Sequence, residues 1–244
     1  MITDKKKDFT VREENILRLG RELKSVLKSG KCKIIIGHGA GSFAHVPAYK
    51  YKTKEGLIKK DSLYGMGVTE DAARKLNSIV IEKFLSLGLP VFSFSPASFL
   101  ISDAKVCSKS YLDPIKKALQ IGIIPVVYGD VILDKKTGCT IFSTEKILSI
   151  LAKELQKNYK IRIIYVTDVD GVYDKDPMRY KNAIKFDTLT YEHAIAKRLG
   201  VMDRTAFALA ANNNLPLVVF KFKKDALVDA AQGKKIGTLV KDKV

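Results

Sequence analysis

The sequence predicts an α/β fold, namely a three-layer sandwich in which helices cover both faces of a mainly parallel central sheet. Short segments that are apolar throughout alternate with longer segments whose apolar residues recur at helical spacing. Strands that are apolar throughout are typical of parallel sheets, because both of their faces are buried. The expected central strands are Ile34–Gly37, Val91–Ser95, Ile123–Tyr128 and Ile161–Val166.

The first half of the chain predicts helices that end at glycines. A capping box at Thr10–Glu13 predicts the start of a helix, which Ser29 and Gly30 end. The segment Val46–Gly65 has no clear periodicity and is expected to be irregular. Two further helices are expected at Thr69–Leu87 and Asp113–Gly122.

The second half follows a predicted hairpin, Val131–Phe142, whose turn is Lys135–Gly138. A helix from Ser143 to Leu155 comes next. No linker or low-complexity segment interrupts the chain, so we expect one domain whose halves, residues 1–140 and 141–244, meet near residue 140. The remaining expected elements are helices at Thr190–Gly200, Met202–Asn213 and Asp225–Gly233 and strands at Leu217–Phe220 and Thr238–Val240.

Length and composition restrict the class of protein. The 244 residues, 46% of them hydrophobic, are enough for one large α/β domain. The charged N-terminus lacks the apolar segment of a signal peptide, and no apolar run approaches the roughly 20 residues of a membrane span. The cysteines, Cys32, Cys107 and Cys139, are too widely spaced for a zinc motif or a disulfide framework. We therefore expect a cytoplasmic protein with no membrane partner and no metal ligands of its own.

The formal net charge of +17 raises the question of nucleic-acid binding. The lysines, however, are spread over the whole chain in short groups, and the sequence has no zinc finger, RNP-type aromatic motif or arginine-rich arm. A generally basic surface is the simpler interpretation. Such a surface would attract an anionic, phosphorylated substrate, and we expect no specific nucleic-acid partner.

The stretch IIIGHGAGSFAH, Ile34–His45, contains the first candidate site. Small residues follow a β-branched strand, a composition that lets backbone N–H groups approach an anion. His45 closes this predicted phosphate-binding loop, and imidazole changes charge readily near neutral pH. The alternative is a glycine-rich turn with a surface histidine, and His38 is expected to be packed and bonded to the backbone. The small residues are Gly37, Gly39, Ala40, Gly41 and Ser42.

Two further strand ends carry polar, glycine-containing stretches. YGDV supplies Gly129 and Asp130, and TDVDGVY supplies Asp168, Asp170 and Gly171. Ligands of parallel sheets bind beyond the carboxyl ends of the strands, so the three stretches would converge. An aspartate pair of this kind could instead cap a turn. Convergence with the glycine loop favours a phosphate-handling site.

Four stretches together resemble the amino acid kinase superfamily, whose members transfer the γ-phosphoryl group of ATP to a carboxylate, carbamate or phosphate. Up to about residue 177, the sequence looks most like isopentenyl phosphate kinases. The resemblance implies ATP as the donor, Mg²⁺ carried by the ATP, a small phosphomonoester as the acceptor, and a homodimer or a larger ring. The stretches are ITDKKKDFTVREENI, HGAGSFAH, YGDVILDKKTGCTIFS and VTDVDGVYDKDP.

The resemblance also implies roles for individual residues. His45 falls on a histidine that contacts the acceptor phosphate, and Lys5 falls on a lysine that contacts the transferring phosphates, so both are expected to be catalytic. The expected acceptor-binding residues are Gly39, Ala40, Gly41, Ser42, Gly129 and Asp130. The expected nucleotide-binding residues are Asp168, Asp170, Gly171, Tyr173, Asp176, Pro177 and Arg204.

The sequence departs from the family pattern at four places, one of them Ser143–Glu145, which stands where the family has Ser-Gly-Asp. Ala40 and Ala44 replace loop glycines, which would cause strain if either position needs a positive φ. Asp203 and Arg204 stand where the family has a nucleotide-contacting lysine, in a stretch that looks like UMP kinases. The family's Lys-x-Gly-Gly-Ser strand does not precede Ile2. We therefore expect either a start codon assigned too late or a protein that lacks part of its catalytic apparatus.

Three functions follow from these patterns. The first is an ATP-dependent kinase for isopentenyl phosphate or a similar phosphomonoester. The second is a UMP kinase, and the third is a non-catalytic relative. His45 favours the first over the second. The depth of the acceptor pocket, which would decide the substrate, depends on side chains in Tyr64–Asn77 and Phe92–Leu100.

Overall fold

The computed structural model describes residues 2–4, 7–30, 32–197, 199 and 204–242, without the side chains of residues 204 and 205. The chain divides into two compact units, Met1–Ile147 and Leu148–Val244. Parallel strand pairs occur in both units, together with helices, and the predicted α/β class is confirmed. None of the described helices combines the length and the apolar character that a membrane crossing requires.

Three of the four predicted central strands form a parallel sheet in the first unit. They are β1 (Ile36–His38), β2 (Val91–Ser93) and β5 (Ile124–Tyr128), in the order β1-β5-β2. All five residues of β5 are buried, as its apolar sequence predicts. The strands run in the same direction, so their carboxyl ends, with His38, Ser93 and Tyr128, share one edge of the sheet.

The first helix, α1 (Glu13–Lys28), ends at Ser29 as predicted but begins without the predicted capping box. Arg12 is the N-cap residue, and its side chain makes no capping hydrogen bond. The Thr10 hydroxyl donates instead to the carbonyl oxygen of Asp8 at 3.0 Å. A β-bridge to the N-terminal segment holds this part of the chain extended, two residues before the helix starts.

The predicted loop after β1 is mostly helical, and this prediction was wrong. Helix α2 (Gly41–Tyr51) begins directly after a two-residue turn, so His45 is a helical residue. The expected irregular segment is reduced to the connection between α2 and α3 (Ser62–Ser86). Glycine and proline in the sequence favour a loop, but α2 persists because Phe43 and Pro47 are buried.

A four-stranded sheet completes the first unit, in the order β4-β3-β6-β7. The hairpin of β6 (Asp130–Asp134) and β7 (Gly138–Phe142) is confirmed. A second hairpin, β3 (Leu100–Asp103) and β4 (Val106–Ser110), was not predicted, because β4 is polar and its turn lacks glycine. The Asp134 carboxylate holds that turn by accepting from the backbone N–H of Lys105 at 2.7 Å. Helix α4 (Asp113–Ile121) then leads into β5, as predicted.

The second unit begins within α5 (Thr144–Leu155) and contains the fourth predicted strand, β8 (Ile163–Thr167). β8 pairs with β12 rather than with β5, in a sheet of order β11-β13-β12-β8. A short hairpin of β9 and β10 follows β8. The expected helices Thr190–Gly200 and Met202–Asn213 fall partly on residues 200–203, which lie outside the described residues. The other elements are β9 (Val172–Tyr173), β10 (Lys185–Phe186), β11 (Thr188–Thr190), α6 (Tyr191–Ala196), α7 (Arg204–Asn212), β12 (Leu217–Lys221), α8 (Ala226–Ala231) and β13 (Thr238–Lys241).

Candidate functional site

The turn between β1 and α2 depends on one glycine. Gly41 has φ +51°, and a Cβ atom there would collide with the Thr3 side chain. Ala40 has φ −72° and Ala44 is helical, so neither alanine is strained and the expected difficulty does not arise. Both alanines are buried beside small residues of α3, which lets the two helices pack closely.

This turn carries unused hydrogen-bond donors. The N–H groups of Phe43 and Ala44 donate to the Ala40 carbonyl oxygen, at 3.2 and 3.5 Å. The N–H groups of Gly41 and Ser42, which lack intrahelical partners by position, have no acceptor among the described residues. The buried Ser42 hydroxyl oxygen is also without a hydrogen bond there. The N-terminus of α2 therefore presents N–H and O–H donors that an anion would satisfy.

His45 lies on α2, four residues after Gly41, and its side chain is exposed. Residues four apart share a helix face, and helical side chains lean toward the N-terminus. The imidazole therefore lies on the face of α2 that contains Gly41. It forms no hydrogen bond with the described residues, so its nitrogens are available to a ligand. Lys5, the other expected catalytic residue, lies outside the described residues.

His38 is packed as expected. It is 7% exposed, and its ring stacks on Tyr128 with centroids 5.7 Å apart. Its Nδ1 atom is 3.2 Å from the Gly39 carbonyl oxygen and its Nε2 atom is 3.1 Å from Asn77 Oδ1. Asn77 Nδ2 in turn donates to Ser93 Oγ at 2.7 Å. Burial lowers the pKa of His38.

A cavity of about 390 Å³ opens at the same edge of the sheet. Its wall includes Ser93, which Asn77 links to His38, and Tyr128, on which His38 stacks. Most of its lining comes from the two stretches that were expected to set pocket depth, and no sequence motif identified the lining residues individually. They are Arg74, Ser93, Phe94, Ser95, Ser98, Phe99, Tyr111, Pro114, Ile115 and Tyr128.

Asp130 is a buried residue that is hydrogen-bonded to Ser95, one of the residues lining the cavity. It is 2% exposed, and its carboxylate accepts from Val131 N at 2.8 Å, from Ser95 Oγ at 3.1 Å and from Ala97 N at 3.3 Å. Burial raises the pKa of Asp130 to about 6. Burial likewise raises the pKa of Tyr128 to about 12. The Asp130 carboxylate thus holds in place the segment that contains Ser95, one of the residues lining the cavity.

Gly129 and Thr144 fix the backbone of β1 at this edge. The Gly129 N–H and the Thr144 hydroxyl both donate to the His38 carbonyl oxygen, at 3.2 and 2.6 Å. A Cβ atom on Gly129 would lie 3.3 Å from the Thr144 hydroxyl, a tight contact. The predicted convergence of Gly129 and Asp130 with the glycine turn is therefore present within the first unit.

The predicted nucleotide segment follows β8 in the second unit. Asp168 is exposed, and Asp170 lies 3.5 Å from Lys185 Nζ. Gly171 has φ +140°, and a Cβ atom there would lie 2.6 Å from Thr238 Oγ1, so glycine is required. The Val172 N–H donates to that same hydroxyl at 2.8 Å, which anchors the start of β9.

The rest of this segment is a surface loop. Tyr173 ends β9 and Pro177 is half-buried. The Asp176 carboxylate accepts from Met178 N at 2.9 Å and lies 3.4 Å from Arg179 Nε, as a turn-stabilising aspartate does. Arg204 begins α7, but its side chain lies outside the described part.

Comparison with known proteins identifies relatives along most of the chain. The family model described as Amino acid kinase family matches residues 1–221. An isopentenyl phosphate kinase of Methanocaldococcus jannaschii is 32% identical over 187 residues, which are 73% of this chain and 70% of that protein. A uridylate kinase of Sulfurovum sp. (strain NBC37-1) is 32% identical over 203 residues, which are 82% of this chain and 77% of that protein.

Solved structures have the same fold. An X-ray structure of isopentenyl phosphate kinase aligns with a TM-score of 0.83 at 26% identity, over 98% of this chain and 95% of that one. The UMP kinase from Bacillus anthracis aligns with a TM-score of 0.71 at 19% identity, over 100% of this chain and 92% of that one, and this second likeness concerns the fold alone.

Proposed function

We propose, because this chain belongs to the amino acid kinase family and is a kinase, that its acceptor is a small phosphomonoester. Isopentenyl phosphate is the first candidate, since relatives named for that substrate match the chain at 31–32% identity. The product would be the corresponding diphosphate. ATP is the proposed donor.

The start of α2 carries this proposal. The N–H groups of Gly41 and Ser42 and the buried Ser42 hydroxyl are donors without acceptors among the described residues. A phosphate oxygen would accept from all three, and the positive end of the helix dipole would favour its charge. His45, on the same helix face, would donate a further hydrogen bond to the same phosphate.

The cavity would hold the organic group of the acceptor. Four of its lining residues have aromatic rings, and Pro114 and Ile115 add further apolar surface. Burial of an alkenyl group against these side chains would contribute about 25 cal/mol per Å². Ser93 is hydrogen-bonded to Asn77, and Tyr128 stacks on His38. The side chain of His38 therefore separates this wall of the cavity from the glycine turn.

The second unit would bind ATP along Asp168–Pro177. Mg²⁺ bound to the ATP phosphates would supply charge neutralisation during transfer, as in other phosphoryl-transfer enzymes. The chain's own part is to hold both phosphates and to stabilise the charge on the transferred group. Lys5 and His45 are the residues proposed for that second task. We also propose a cytoplasmic homodimer or larger ring.

UMP is the second candidate acceptor. The Sulfurovum uridylate kinase matches a larger share of this chain than the isopentenyl phosphate kinase from M. jannaschii does. The cavity also contains Arg74 and three serine hydroxyls, which a nucleoside could use. The third candidate, which the sequence also suggests, is that this protein binds nucleotide without catalysing a reaction.

The test is acceptor choice by the purified full chain with ATP and Mg²⁺. We expect isopentenyl phosphate to be phosphorylated with a higher kcat/KM than UMP. Turnover of UMP without turnover of isopentenyl phosphate would establish the second candidate. ATP binding without turnover of either acceptor would favour the non-catalytic alternative.

A further inference from the structure

Each of the two ring nitrogens of His38 faces an oxygen atom that can only accept a hydrogen bond. Nδ1 faces the Gly39 carbonyl oxygen, and Nε2 faces Asn77 Oδ1. The Asn77 amide has its oxygen toward His38 because its Nδ2 donates to Ser93 Oγ on the other side. A neutral imidazole carries one N–H, so one of the two contacts would then join two acceptors.

Two arrangements satisfy all of these atoms. In the first, neutral His38 donates from Nδ1 to Gly39, the Asn77 amide is turned so that Nδ2 donates to Nε2, and the Ser93 hydroxyl donates to Oδ1. In the second, His38 is an imidazolium that donates from both nitrogens, and Asn77 Nδ2 donates to Ser93 Oγ. The Ser93 hydroxyl hydrogen is then free to point into the cavity.

We propose that His38 is a positioning residue that gains a proton when the phosphate of the acceptor binds at the glycine turn. The proton comes from solvent and adds to Nε2, and the hydrogen bonds of Asn77 and Ser93 reverse with it. The phosphate of a bound acceptor would sit at the N–H groups of Gly41 and Ser42, three and four residues after His38 in the chain. In a poorly solvated site, its negative charge stabilises the imidazolium more than water would. This proposal rests on the proposed function.

The surroundings of the ring leave it free to respond to a ligand. Tyr128 of β5 stacks on it, and its pKa of about 12 keeps that hydroxyl neutral. Asn77 of α3 is uncharged. The charged groups nearby, Glu70, Arg74 and Asp130, act on Tyr128 or on one another. Burial lowers the pKa of the His38 imidazole, which favours its neutral form in the absence of an anion.

The test is proton uptake during calorimetric titration with isopentenyl phosphate, without ATP, in buffers of different ionisation enthalpy. At about pH 8 the acceptor is a dianion. We expect uptake of roughly half a proton or more per bound acceptor, and a Kd that weakens by up to about tenfold per pH unit. The nitrogen NMR shifts of His38 should change from neutral to imidazolium values on binding.

Variants identify the group that gains the proton. His45, which we propose to contact the same phosphate, could also gain a proton, so the comparison is made in a His45→Gln background. In that background, uptake should persist with His38 intact and His38→Gln should abolish it. Asn77→Asp, whose carboxylate would keep the imidazole charged in advance, should bring the uptake toward zero while the acceptor still binds. Asp130→Asn and His193→Gln, the latter an exposed histidine of the second unit, should keep the uptake. If His38→Gln fails to fold, the NMR shifts and Asn77→Asp still decide.

The outcomes separate this proposal from the proposed function. Binding without proton uptake, with His38 neutral throughout, would overturn the role of His38 and leave the kinase assignment intact. Uptake that is lost in Asp130→Asn but kept in His38→Gln would overturn it as well. If neither isopentenyl phosphate nor UMP binds, both proposals are refuted together.

Discussion

Removing the imidazole of His45 should reduce phosphoryl transfer without disturbing ATP binding. His45 is exposed on α2, on the helix face that contains Gly41, and makes no hydrogen bond with the described residues. A charge-assisted hydrogen bond to the acceptor phosphate is worth about 1.5–3 kcal/mol. His45→Ala should therefore lower kcat/KM for isopentenyl phosphate by about 10- to 100-fold. The exposure of the side chain places the expected loss near the lower end.

The assay is steady-state kcat/KM for the acceptor, with ATP affinity measured separately by titration. His45→Gln retains a neutral donor and should fall between the wild type and the alanine variant. Tyr49→Ala is the matched control, because Tyr49 is the next residue on the same helix face and is 89% exposed. An unchanged kcat/KM in His45→Ala, or a defect mainly in ATP affinity, would refute the assignment of His45 to the acceptor phosphate.

Three further predictions concern stability and pH. Gly41→Ala should lower the free energy of unfolding, measured by denaturant titration, by about 1 kcal/mol or more and should weaken acceptor binding, because φ +51° and close packing require glycine. Gly39→Ala, where a Cβ atom would meet open space, should lower it less. Burial raises the pKa of Asp130 to about 6, which is above its value of about 4 in the unfolded chain. This carboxyl therefore stabilises the folded state at acid pH, and that contribution is lost as the pH rises from about 4 to 6. Asp130→Asn should flatten the dependence of Tm on pH in that range, and an unaltered slope would contradict the assignment. Asp134→Ala should destabilise the protein by about 2–4 kcal/mol, because its carboxylate accepts from three backbone N–H groups and a serine hydroxyl, whereas exposed Asp103→Ala should change Tm little.

Local sequence patterns predict several residues of the candidate site. Buried strands such as β5 are continuous apolar runs, and period and composition identify such runs locally. Gly41 was recognisable because a strand, a glycine cluster and a histidine occur within twelve residues. The rule that ligands bind at the carboxyl ends of parallel strands predicts Gly129 and Asp130 at the same edge, and the first unit has that arrangement.

The tertiary structure decided how these residues are arranged relative to one another. α2 became a helix although its sequence favours a loop, because its buried face packs against α3, and this carried His45 onto a helix face. The β3–β4 turn depends on Asp134, about thirty residues away in the chain. The partner of His38 is Asn77, 39 residues further on, and the hydroxyl that fixes its carbonyl group belongs to Thr144, 106 residues further on. Local sequence determined the elements and their polar ends, whereas the pairing of buried polar groups was decided by contacts between distant segments, because each such group must find a partner wherever folding brings one near.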